Sequence, residues 1–131
     1  MIATNELRKI AQARYKDADV LLKARRYEGA IYLCGYAIEL ALKARVCKTL
    51  KWPGYPSTSS EFRDYQSFRT HDLDVLLHLT GLEEAIKVSY FAEWSAVAQW
   101  NPSARYQAIG TATETDARLM LSGTKVLLRK I

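Results

Sequence analysis

The most telling chemical groups in this chain are an acid and a base, Glu39 and Lys43, inside the run Arg26–Cys47, which is otherwise almost wholly apolar or aromatic. Four residues span one helical turn, so the two face the same way, in the order that favours an ion pair worth a few tenths of a kcal/mol on an exposed surface. In so apolar a helix the pair is partly buried, and a buried charge needs further hydrogen-bond partners, for which Tyr32, Tyr36 and His71 are candidates. A structural polar network is the first reading. Tyr36, Glu39 and Lys43 are also the candidate positions for ligand or interface contact, and direct catalysis by Glu39 is a third reading.

His71 and His78 are the only histidines. They are seven positions apart, on roughly one helical side, and without a third nitrogen, thiol or spaced carboxylate they make no zinc motif. Capping and packing explain His71 most simply. Arg105 and Tyr106 follow an Asn-Pro interruption, where the guanidinium can grip phosphate in a bidentate way and the ring can stack. The plainer reading pairs Arg105 with Glu39 or Glu93 and packs Tyr106 against the bundle. Cys34 and Cys47 are too far apart along one helix to bond each other and read as small hydrophobes.

These groups must be positioned by helices. Residues 5–25 read as a first helix capped by Asn5, and 27–50 as a second, whose apolar circumference implies either a central place in a bundle or a face given to a partner subunit. Gly29 and Gly35 each weaken a helix by about 1 kcal/mol relative to alanine, so their presence points to close approach of a neighbour. From Lys51 to Phe68 the chain reads as coil pinned by Trp52, Tyr55, Phe62, Tyr65 and Phe68. Thr70 is the expected cap of a short helix ended or bent by Gly81. A helix over roughly 82–99 follows, with Thr80 and Glu83 at capping-box spacing. The last helix starts near Thr111 or Thr113 and runs to Lys130.

With 131 residues, 49% of them hydrophobic, the chain suits one domain over residues 1–131 that needs neither disulfide nor metal. Its start lacks the features of a secretory signal, and no apolar run reaches the roughly 18 residues of a membrane span, so a cytoplasmic protein is expected. The net charge of +5 divides into +6 over residues 1–51 and −1 over 52–131. Such a basic half attracts RNA or an acidic partner, or simply solvates outer helix faces. No phosphate loop or metal motif is present, and no cofactor is expected.

Tyr27, the block Ala30-Ile-Tyr-Leu-Cys-Gly-Tyr-Ala-Ile-Glu-Leu-Ala-Leu-Lys-Ala44, then Thr70-His-Asp-Leu73, Leu76-Leu77 and Arg105-Tyr106 resemble the HEPN domains of bacteria and archaea. The resemblance spans nearly the whole chain. It implies an all-α fold, an up-and-down four-helix bundle with one additional short helix here. It also implies a homodimer, often paired with a minimal nucleotidyltransferase. Many such domains are RNA-cleaving toxins that use an arginine followed after four to six residues by histidine. Here those places hold Gly110, Thr111 and Ala112 after Arg105, and Gly123, Thr124 and Lys125 after Arg118. The expected function is therefore a noncatalytic component of a toxin–antitoxin or nucleotidyltransferase-associated complex, acting by dimerisation and by protein or nucleotide binding. The alternative is a metal-independent RNA endonuclease with an atypical interface site at Arg105, Tyr106 and His71.

Overall fold

The computed structural model describes residues 1–131. Two long helices, α1 (Thr4–Lys23) and α2 (Tyr27–Leu50), are followed by three short ones, α3 (Leu73–Thr80), α4 (Glu83–Ser89) and α5 (Phe91–Val97), and by α6 (Glu114–Lys130). A two-residue antiparallel pairing of β1 (Ile2–Ala3) with β2 (Gly54–Tyr55) ties the start of α1 to the coil after α2.

The fold is all-α, but it is not a four-helix bundle with one short extra helix: six helices of seven or more residues are present. The expected helix over 82–99 breaks at Tyr90, whose φ of −131° and ψ of 39° lie outside the helical region. Val88, Ser89, Tyr90 and Phe91 are consecutive residues of modest helix propensity, so a break costs little there. Tyr90 packs on the core and its ring lies 5.7 Å from the Lys130 ammonium. α4 then buries Ile86, while α5 buries Trp94 and Val97 and joins the Trp94 indole N–H to Asp74 at 3.1 Å.

α2 is the central helix. Eleven of its residues are buried, from Ala30 to Cys47, and α1, α3 and α6 all pack against it. The apolar circumference that suggested a partner subunit is thus largely covered within the chain. Gly35 admits another neighbour, Trp100, from the segment after α5: a Cβ at Gly35 would fall inside the Trp100 indole. A second, smaller core joins Leu7, Ala44, Val46 and Cys47 to Tyr55 and Phe62 of the coil. Trp52 meets Tyr65 and Phe68 at centroid distances of 5.2 and 4.9 Å, so aromatic packing pins the coil.

Several caps differ from expectation, because the free backbone groups find other partners, tertiary at α1 and local at α3 and α4. Asn5 caps nothing; α1 begins at Thr4, whose N–H donates to the Pro53 carbonyl. Asp72, not Thr70, caps α3 by accepting from the Val75 N–H, while Thr70 accepts from the Asp72 N–H. The Thr80 hydroxyl donates to the Leu77 carbonyl and accepts from Leu82, and Glu83 turns to His78 and Lys87, so no capping box forms there. Thr113 and Asp116 do form one at the head of α6. Thr113→Ala is therefore expected to cost about 1 kcal/mol. Thr111→Ala, removing only a bond to the Ala108 carbonyl, is expected to cost less than half of that; thermal denaturation of the two variants checks the difference.

Candidate functional site

Glu39 is 3% exposed on the inner side of α2. A carboxylate at that depth requires compensation, and it has two partners: the Lys43 ammonium lies 3.6 Å from one oxygen and His71 Nδ1 2.5 Å from the other. The turn Thr70–Asp72, at the head of α3, carries His71 to Glu39 across 32 residues of sequence. Because a carboxylate only accepts hydrogen bonds, Nδ1 carries the hydrogen in this pairing, and Nε2 is left as the second ring nitrogen of a side chain that is 60% exposed.

His71 and Lys43 open onto a cleft of about 280 Å³, whose walls include Tyr55, Phe62, Arg69 and Thr70. Both long cations rest on its aromatic rings. The Lys43 ammonium is 5.3 Å from the Tyr55 ring centre and the Arg69 guanidinium 5.6 Å from that of Phe62. The Tyr55 hydroxyl donates to the Phe68 carbonyl at 2.6 Å, and burial pushes its pKa well above that of an ordinary tyrosine, so it is a wall of the cleft and not a proton donor in it. The cleft thus gathers Lys43, Arg69 and the His71 ring around one deep carboxylate. It is suited to an anion.

Arg69 was not singled out from the sequence as a site residue. The adjacent run Arg69-Thr70-His71 at a helix head was the available signal, but Tyr55 and Phe62 reach the cleft only through the course of the coil.

The remaining candidates do not join this cleft. Tyr36 stacks edge-on with Tyr32 and Trp100, at 5.1 and 5.0 Å. Its hydroxyl pKa is raised by burial first, then by Tyr32 and by the charge of Glu39, with the charge of Arg105 opposing. Arg105 pairs with neither Glu39 nor Glu93. It sits on an exposed 3-10 turn, Pro102–Tyr106, where it donates to the Pro102 carbonyl at 3.0 Å and lies 4.6 Å from the Tyr106 ring centre. Tyr106 is 76% exposed and fills no gap in the bundle. His78 bonds Glu83 at 2.7 Å, apart from His71, and no group of three metal-capable side chains is present. Burial pushes the Cys34 thiol up to about 12, far from a reactive thiolate. No helix is long and apolar enough to cross a membrane.

The HEPN domain model matches residues 4–131. The chain belongs to the HEPN domain family. No curated protein and no solved structure gives a significant match. Within this HEPN domain, the block around Glu39 and the Thr-His-Asp-Leu block, far apart in sequence, meet at the Glu39–His71 contact.

Proposed function

We propose that this HEPN chain is a noncatalytic binding component that holds the phosphate of a nucleotide or RNA in the Glu39–His71 cleft. We propose further that it assembles as a homodimer and with a minimal nucleotidyltransferase, in a toxin–antitoxin or related complex. The observation that carries the binding reading is the convergence of Lys43, Arg69 and His71 on one cleft. Buried Glu39 is already engaged by two of them, which leaves the guanidinium of Arg69 free for an added anion. The partner assignments rest on the family resemblance.

Metal-independent cleavage of RNA needs one group to take the proton of the attacking hydroxyl and another to protonate the leaving oxygen. His71 can fill one role. Tyr55 cannot fill the other, since its hydroxyl is bound to Phe68 and holds its proton tightly. One observation favours the endonuclease reading: a buried carboxylate orienting a histidine through Nδ1 is the arrangement of an oriented general base. In that reading the exposed Arg105 and Tyr106 meet His71 across a dimer interface.

Calorimetric titration with ATP and with inorganic phosphate tests the first reading. Wild-type protein is expected to bind, and Arg69→Ala is expected to weaken binding by about tenfold or more, as loss of one charge-assisted contact implies. Cleavage of single-stranded RNA in the presence of chelator, abolished by His71→Ala in a folded protein, would replace it with the second.

A further inference from the structure

α5 and α6 leave large apolar side chains uncovered: Leu119 of α6 is 58% exposed and Phe91 of α5 70%, and Val88, at the end of the preceding α4, is 76% exposed. Two adjoining hollows, both bordered by Ala96 and Leu119, run along the seam between these helices. The smaller, about 210 Å³, is lined by Ala92, Ser122, Gly123 and Val126. Its floor is low because Gly123 lies so close to α5 that a Cβ there would stand 2.9 Å from the Glu93 carbonyl oxygen.

A protruding leucine beside a hole of small side chains, both on one face, is what a two-fold axis requires, since each copy then inserts its knob into the hole of the other. We infer that the α5–α6 face is an interface between two copies of this chain, with the two α6 helices antiparallel about an axis near Ser122. Thr115, Leu119, Ser122, Val126 and Arg129 follow helical spacing along one stripe of α6. The helix α6 is acidic at its head and basic at its tail. Glu114 precedes Ser122 by eight positions, and Arg129 and Lys130 follow it by seven and eight. An antiparallel pairing therefore sets the Glu114 of each copy against the basic tail of the other and opposes the helix dipoles, whereas a parallel one stacks like charges. Glu114 is prepared for this, because Arg118 donates both of its hydrogen bonds to Oε1 and leaves Oε2 free.

This inference rests on the homodimer part of the proposed function and locates its interface. Sedimentation equilibrium of the wild type, of Leu119→Arg and of Ser122→Cys tests it. The wild type is expected to be dimeric and Leu119→Arg to raise the dimer dissociation constant by about a hundredfold or more, since a charge would enter the apolar hole. Ser122→Cys, at the axis, is expected to form an intersubunit disulfide under mild oxidation, with Cys34 and Cys47 buried and unable to compete. Circular dichroism confirms folding of each variant; both substituted positions are exposed. A wild type that stays at 14.9 kDa overturns both the homodimer and this interface. A dimeric wild type whose Leu119→Arg variant remains equally dimeric, and whose Ser122→Cys variant does not cross-link, overturns the interface alone.

Discussion

Gly35→Val is expected to destabilise the protein by about 3 kcal/mol, the upper part of the range for overpacking a core. For a chain of this size that lowers the melting temperature by roughly 10 °C. The added Cβ alone overlaps three atoms of the Trp100 indole. Trp100 is only 7% exposed and is held edge-on against Tyr36, so it cannot step aside without leaving its pocket. Valine gains only a few tenths of a kcal/mol of helix propensity over glycine, less than alanine would and too little to offset the strain. Gly29→Ala is the contrasting case. Its Cβ would meet only the mobile tip of Leu21, at 3.2 Å, and the helix gains up to about 1 kcal/mol, so stability should hold or rise slightly. Thermal unfolding followed by circular dichroism, with tryptophan fluorescence reporting Trp100, checks both. A Gly35→Val protein melting within about 2 °C of wild type would refute the close approach.

Replacement of Glu39 with leucine is expected to cost about 2 kcal/mol, below the 3–5 kcal/mol typical for breaking a fully buried ion pair. The discount follows from the partners: the His71 side chain is 60% exposed and Lys43 16%, so each can recover some hydration. Helix content should persist. From the sequence, Glu39 was a candidate for ligand or interface contact; its observed partners, Lys43 and His71, are within the chain, so the expected loss is in melting temperature, and the proposed α5–α6 pairing should be unaffected. Glu39→Gln separates the two functional readings by sign. Removing the one negative charge behind the cleft strengthens phosphate binding if the site only binds, whereas an endonuclease that relies on an oriented His71 loses about 10²-fold or more in rate. Phosphate titration and RNA cleavage on the same preparation distinguish these outcomes.

The tie between Glu39 and His71 was partly legible. A lone acid in an apolar helix demands partners on energetic grounds, and His71 stood among the few polar side chains that could serve. The cleft around them was not legible, because the Tyr55 and Phe62 walls are placed by a coil whose path depends on packing against Leu7, Val46 and Cys47. Arg105 misled for a related reason. An arginine following Asn-Pro looks like a partner for an internal acid, but the 3-10 turn that carries it holds the side chain at the surface, bonded to its own turn.

Local signals determined the helical class, the burial of α2, the pinned coil and a cap at either Thr111 or Thr113, of which the structure selects Thr113, because apolar spacing and capping chemistry act within a few residues and are written in consecutive letters. Only the tertiary structure decided that α2 is covered largely by α1, α3 and α6, that the fourth helix breaks at Tyr90 into α4 and α5, and that Phe91 of α5 and Leu119 of α6 stay uncovered. A sequence shows which face of a helix is apolar. Which neighbour covers that face is settled by contacts between distant segments, whose competing packings differ by amounts that no local pattern encodes.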